Sequence, residues 1–427
     1  VAQVIPPREV RFTMRLSRML VVFVLGTIVA VTAATAGARI TGAQKTTTIT
    51  FWNAYSSDGP EVKRLDKVII PQFQKTHPGI VVKDVPIPYD SLHQKLVTGI
   101  AGGQLPDLVR SDIIWVPELA NLGVLEPLDK SLPDFKKLSS AVFAGPLATN
   151  YWKGHYYGLP LDTNTRTWNY STTALAAAGL SGPPKTFAQL KADAATAKAK
   201  GMYLYAESGT SGWNLLPWIW SAGGSLTNST YTKASGYLNG PKSVAGIQML
   251  VDLYKAGEMP NIILGGTGGL GTYDGISQNK YISTLDGPWM FAILGGSVKL
   301  AGTTIPAGPG GSISVVGGED IVMTKSSKNK AAAAEFTRFM LGGWAQNQMA
   351  RAGQMTVLKS LTKQLVKIHP YYSVYLKQIA TARPRTPTPK WPQIDQVLQA
   401  ELPKAFKGDE SVQQALDSAA KQIDALL

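Results

Sequence analysis

A chain of 427 residues with 44% hydrophobic and only 16% charged residues is too long for one ordinary domain and apolar enough for two cores. Its 42 glycines and 27 prolines mark a globular, loop-rich composition rather than a disordered one. The absence of cysteine excludes disulfides, thiolate metal sites and a cysteine nucleophile. The net charge is +14, and residues 1–43 contribute Arg8, Arg11, Arg15, Arg18 and Arg39 against Glu9, leaving about +10 for the remainder. Such an excess raises nucleic-acid binding. The lysines are scattered, however, and the densest cluster is Lys325, Lys328 and Lys330. A solvated basic surface is therefore expected, with no nucleic-acid partner.

In chain order, Val1 to Thr13 precede Met14 and read as an upstream extension. Arg15 and Arg18 then lead into an uncharged, mostly apolar run from Met19 to Ala34. Ala36-Gly37-Ala38 is a small-residue cleavage match and Thr41-Gly42-Ala43 a second one, so residues 1–43 are expected to be extension plus signal peptide. A retained membrane helix is the alternative, although the uninterrupted apolar part is short for the roughly 20 residues of a span. No cysteine follows the run to take a lipid.

Thr48 to Trp52 is β-branched and aromatic, as a strand requires. Val62, Leu65, Ile69 and Phe73 put one apolar face on a helix over Glu61–Gln74, and His77-Pro78-Gly79 ends it. Ile80 to Val85 is a second strand, Leu92 to Ile100 a second helix, and Leu108-Val109 a third strand, giving a βαβαβ unit. That third strand ends in Arg110-Ser111-Asp112. Ligands of open α/β sheets sit beyond the carboxyl ends of strands, so Asp112 is placed to meet one. The following helix carries Trp115 and Leu119, and that spacing makes Trp115 a core residue. Thr165 to Tyr170 is a long strand-like run suited to a connection between lobes.

Beyond it come a helix at Phe187–Ala199, a strand at Met202–Tyr205, a helix at Val244–Tyr254 and a buried strand at Tyr281–Leu285 ending in Asp286-Gly287-Pro288-Trp289. A strand is expected at Ile313–Val316, followed by a turn at Gly317-Gly318-Glu319-Asp320. Helices are expected at Lys330–Met340, Ile394–Phe406 and Val412–Leu426. The chain thus forms two α/β lobes and crosses between them more than once. Gly266 to Gly271 spells a formal G-x-G-x-x-G, but Thr272 to Gly275 starts no helix in this reading, so dinucleotide binding is not expected.

The four histidines, His77, His93, His155 and His369, show no metal-ligand spacing, and neither a nucleophile elbow nor a phosphate-binding loop is present. No metal and no cofactor is expected. Paired acids for glycoside hydrolysis need a separation of about 5–10 Å. Asp112, Asp162 and Asp286 keep that alternative open. Among ten tryptophans, Trp168, Trp218, Trp220 and Trp344 read as core. Trp289 stands just past a strand and suits stacking on a sugar ring, and Trp213 after a Gly/Ser loop suits either role.

From Thr46 onward these features resemble the extracellular solute-binding proteins of ABC importers, in the group of maltose- and trehalose-type binding proteins. The resemblance rests on Ile49 to Asn53, Leu105 to Asp129, Tyr157 to Thr165, Thr284 to Trp289, Gly317 to Ile321 and Ala382 to Pro387, in that order. It implies a two-lobed, periplasmic-binding-protein-like (type II) α/β fold with a multi-strand hinge. Lobe one would hold 44–164 plus about 302–354, and lobe two 165–301 plus about 355–427. It implies a cleft wall at Asn53, Tyr55 and Asp58 and a hydroxyl acceptor at Asp112. Asp162 and Asn164 would be cleft residues and Trp289 the stacking aromatic, while Trp213 is a candidate ligand contact from its position after the Gly/Ser loop. Gly317 and Gly318 would supply lining backbone, and Arg383 a basic contact for which Arg385 competes. The implied protein acts outside the cytoplasm as a monomer without a lipid anchor. It captures a disaccharide or malto-oligosaccharide and delivers it to the importer's permease, without turnover. A non-sugar solute and a secreted glycosidase remain alternatives. Replacing Asp112 by Ala is expected to weaken binding without unfolding the protein.

Overall fold

A computed structural model describes residues 46–427 apart from Ser56 and residues 266–270. The upstream extension, the apolar run and both cleavage matches lie outside the described residues, as do positions 266–270 of the glycine-rich loop. No helix among the described residues is long and apolar enough to cross a membrane.

The strands are β1 (Thr47–Asn53), β2 (Ile80–Pro86), β3 (Leu108–Asp112), β4 (Tyr151–Trp152), β5 (His155–Tyr156), β6 (Gly158–Thr165), β7 (Thr167–Ser171), β8 (Tyr203–Tyr205), β9 (Tyr281–Asp286), β10 (Leu300–Thr303) and β11 (Val316–Met323). One sheet runs β2-β1-β3-β11-β6 and a second β10-β7-β9-β8, while β4 and β5 pair as a small hairpin. β1 lies parallel to β2 and β3, the product of two helical crossovers. β11 enters antiparallel between β3 and β6.

The first core gathers Ile49 and Phe51 of β1 against Leu65 and Phe73 of the helical stretch 60–76 and Phe336 of the helix Lys330–Met340. Phe336 meets Phe51 and Phe73 edge-on, at centroid separations of 5.6 and 5.1 Å. The stretch 60–76 widens into a π segment at Leu65–Ile69, directly before Pro71, which has no N–H to donate. The second core is built on Trp168, Tyr205, Trp218 and Trp391 with the helices Trp391–Lys407 and Val412–Asp424. Each large apolar side chain so buried contributes about 1.5–3 kcal/mol relative to exposure.

Three passages join the two halves. β6 of the first sheet continues through the single residue Arg166 into β7 of the second. The chain leaves the second core at Val315 and enters the first sheet as β11. A third passage runs past Met355, which bridges to Thr163, toward the C-terminal helices. Arg166 fastens the first passage. It pairs with Glu207 at 2.9 Å and donates to the carbonyls of Trp213, Asn214 and Leu285. Glu207 also accepts from Tyr205, which accepts from Trp218.

Several expectations are corrected. Ile313 to Val315 is not a regular strand, and Gly317 to Asp320 is not a turn: the strand is β11, which carries both glycines and an irregularity at Glu319/Asp320. A glycine pair reads as a turn from sequence, yet here close neighbours require the missing side chains. Thr272–Ser277 is a short helix after all. The glycine loop is preceded by a 3-10 turn at Asn261–Leu264, so the strand that a dinucleotide fold places there is missing. Trp344 is 44% exposed at the start of the helix Gly343–Ala350 rather than core. Thr303 pairs in the second sheet, and Ile305, Ile313 and Val315 pack in the second core, whereas Val357 and Leu358 pack in the first. The segment assigned from sequence to lobe one thus contributes its first part to the other core.

Candidate functional site

A cleft of about 630 Å³ opens between the two sheets. One wall is the carboxyl end of the first sheet, with Tyr55, Arg110 and Asp112. The other holds the loop Ser208–Ser211, Trp213, Trp289 and Asp395, and the passage residues Asn164, Gly317 and Gly318 form the floor.

Asp112 is buried at the end of β3 and fully engaged. Its Oδ1 accepts from Ile114 N at 3.0 Å and Arg385 Nη2 at 3.1 Å, and its Oδ2 accepts from Tyr89 OH at 2.6 Å. Tyr89 in turn stacks on Trp115, centroids 5.3 Å apart, which settles Trp115 as buried support. Arg385 is the basic residue of the cleft. Arg383 is exposed and contributes backbone, donating to Ser314 O and accepting from Val316 N. Arg385 also lies 5.4 Å from the Trp213 ring centre, and Arg166 lies 5.6 Å from it.

Asp162 and Asn53 stand behind the wall rather than on it. Both oxygens of Asp162 are taken by Arg110, Nε at 3.1 Å and Nη2 at 3.2 Å. Arg110 also reaches Glu319 at 2.6 Å and lies 4.1 Å over the Tyr55 ring. Asn53 is wholly buried; it donates to Asp84 at 2.6 Å and accepts from Tyr55 N at 3.1 Å, so it holds Tyr55 in place. Asp58 is exposed in the following turn and does not line the cleft. Asp286 lies outside the lining as well, held by Tyr273 OH at 2.6 Å and Gly287 N at 2.7 Å. Of the three acids that could have converged, only Asp112 lines the cleft; Asp162 is held by Arg110 and Asp286 by Tyr273 and Gly287.

Two glycines exist for the two indoles. A Cβ on Gly317 would fall 2.2 Å from Asn164 Oδ1 and 2.7 Å from the Trp213 ring, and one on Gly287 would fall 2.2 Å from the Trp289 ring. Gly318 has φ +136°, a region closed to most side chains.

Charge in the cleft is crowded. Burial pushes the Glu319 carboxyl well up; Arg110 pulls it back, and Asp162 pushes it up again. Burial opposes the Arg110 charge, yet Asp162 and Glu319 outweigh it and hold the guanidinium well above its ordinary range. Glu61, raised by burial, accepts from Gln354 at 2.7 Å. Among the described lining residues there is no lysine or histidine. Asn164 Oδ1 and Gln354 Oε1, two buried acceptors on the lining, have no protein partner. Tyr89, Arg110, Glu319, Gln354 and Asp395 were not singled out from sequence. Arg110 adjoins the polar strand end that drew attention to Asp112, but Glu319 enters only through the β11–β3 register, in which it faces Asp112.

Two α/β lobes joined by several passages, with a polar and aromatic cleft between them, define a two-lobed solute receptor. The chain belongs to the bacterial extracellular solute-binding protein family, whose model matches residues 56–343. It is 26% identical to the sn-glycerol-3-phosphate-binding periplasmic protein UgpB of Pectobacterium atrosepticum over 90% of this chain and 92% of that one. An ABC transporter solute-binding protein of Thermotoga lettingae, solved with alpha-D-tagatose, superposes with a TM-score of 0.80 at 25% identity, over 89% of this chain and all of that one. The GacH receptor of Streptomyces glaucescens, solved unliganded and with acarbose, shares the fold with a TM-score of 0.81 at 22% identity, over 90% and 98% of the two chains.

Proposed function

We propose that this chain captures a neutral carbohydrate in the interlobe cleft and hands it to the membrane permease of an ABC importer, outside the cytoplasm and without turning it over. One observation carries the reading. The lining sets two indoles, Trp213 and Trp289, beside the carboxylates Asp112 and Asp395 and two acceptors without a protein partner, Asn164 Oδ1 and Gln354 Oε1. Indole faces take the apolar face of a sugar ring, and acceptors take its hydroxyls. Tyr55, Asp112, Asn164, Trp213, Trp289, Gly317, Gly318 and Arg385 are the proposed ligand contacts; Asn53 and Asp162 hold them in place, and Asp58 and Arg383 stand aside. A disaccharide or malto-oligosaccharide of the maltose or trehalose type suits the cleft volume. The protein works as a monomer, and ligand shifts it toward a closed form by touching both lobes at once.

The likeness to a glycerol-3-phosphate receptor favours a second reading. Against it, both guanidiniums among the described lining residues already pair with carboxylates, Arg110 with Asp162 and Glu319 and Arg385 with Asp112, and no lysine or histidine joins them to balance a phosphate. A thermal-shift screen of sugars together with sn-glycerol-3-phosphate separates the readings, because a tight ligand raises the melting temperature by mass action. A shift with a sugar supports the proposal. A shift with the phosphate alone contradicts it, and release of monosaccharide from a bound sugar contradicts binding without turnover.

A further inference from the structure

A second cavity of about 670 Å³ lies on the opposite face of the passages from the cleft. The strand alternation on β6 supports this. Asn164 and Gly317 face each other across β6 and β11 and line the cleft, while their neighbours Thr163 and Val316 line the second cavity. Successive side chains of a strand point to opposite faces. Ile114 and Arg385 belong to both walls.

The second cavity has a different chemistry from the cleft. Its walls are apolar: Ile113, Phe143, Met355, Leu365, Leu376 and Ile379 come from several separate segments. Four of the six lining threonines spend their hydroxyls on the protein. Thr149 donates to Pro146 O, Thr163 to Gly317 O, Thr356 to Gln346 Oε1 and Thr362 to Lys359 O. Among the described lining residues one side chain is charged, Arg385, which is 6% exposed and whose Nε has no partner. A concave, mainly apolar space with few polar groups and one charged one, within the roughly 300–1,000 Å³ of small-molecule sites, is the form such sites take.

We infer that this cavity is a second ligand site, for a small apolar molecule with one hydrogen-bond-accepting end that meets Arg385. It shares Ile114 and Arg385 with the carbohydrate cleft but has its own volume and lining, and it does not rest on what the cleft binds. Anilinonaphthalene sulfonate, an apolar aromatic with one anionic end, is the probe. Titrated into the full chain, it is expected to bind saturably at one equivalent with blue-shifted fluorescence. Two substitutions fill the cavity from different walls: Ile379→Trp, from a half-buried position, and Ala148→Trp, from an exposed one. Each is expected to weaken the probe at least tenfold while the melting curve stays cooperative, and the second remains available if the first fails to fold. Absence of binding, fluorescence that rises without saturating, or unchanged affinity in a folded variant overturns the inference.

Discussion

Arg385 and Asp112, 273 positions apart in the chain, form a buried ion pair at 3.1 Å that ties the segment before the C-terminal helices to the end of β3. Both line the proposed ligand cleft, so the pair orients a contact surface as well as joining distant segments. Asp112→Ala, expected from sequence to weaken binding without unfolding the protein, is predicted to cost stability as well. Removing the carboxylate strands a buried guanidinium, at a cost of about 3–5 kcal/mol, and deprives Tyr89 of its acceptor. Asp112→Ala is predicted to lower the urea midpoint clearly, and Arg385→Met added to it to restore part of the loss. A midpoint unchanged in Asp112→Ala would show that the pair is not buried in solution.

Gly317→Ala is predicted to impair binding more than folding. The new methyl collides with Asn164 Oδ1 and the Trp213 ring, both side-chain groups able to move. Sugar affinity should fall at least tenfold with a melting shift of a few degrees. Gly318→Ala acts the other way. Its methyl meets the Asp162 carbonyl at 2.5 Å from a positive-φ backbone, so the loss is expected in stability. Parallel melting and binding measurements on the two variants check the contrast.

Asp286 gives a pH dependence with a definite sign. Burial raises its pKa to about 6, against the pull of Tyr273 and Arg166. Unfolded, an aspartate titrates near 3.9. The folded state therefore holds its proton more tightly, and stability from this group declines as pH rises from about 4 to about 6, the penalty being complete above that. It amounts to on the order of 2 kcal/mol. Asp286→Asn removes the titration. The stability difference between variant and parent is thus predicted to move in the variant's favour by that amount between pH 4 and pH 7.5, whatever the fixed cost of the lost Gly287 hydrogen bond. A difference independent of pH would mean the group is ordinary.

Arg166→Met leaves Glu207 buried without its cation and removes three donors to backbone carbonyls. A loss of about 3–5 kcal/mol is expected. Arg166→Met combined with Glu207→Gln should lose less than the sum of the single substitutions, as a double-mutant cycle by denaturant unfolding would show.

Much of the architecture was legible because single stretches encode it. The helices at Phe187–Ala199 and Lys330–Met340 read from local composition and stand at those bounds. Asp112 was legible for the same reason, since a polar residue at a strand end needs no distant partner to be noticed. The rest depends on register. Arg383 and Arg385 flank one proline, and only the pairing of Arg383 with Val315 decides which of them turns to the cleft. Glu319 joins Arg110 and Asp162 because β11 inserts between β3 and β6, which no local pattern announces. Gly317 and Gly318 signal a turn in isolation, whereas their lack of side chains serves an indole and a neighbouring carbonyl.

The account turns on a neutral carbohydrate held between Trp213, Trp289 and the Asp112–Arg385 pair. Isothermal titration of the protein and of Trp213→Ala with maltose, trehalose, malto-oligosaccharides and sn-glycerol-3-phosphate tests it most directly. The prediction is one-to-one heat with at least one sugar, affinity lowered at least tenfold by Trp213→Ala, and none with the phosphate. Binding of the phosphate with no heat from any sugar, or sugar binding indifferent to Trp213, would contradict it.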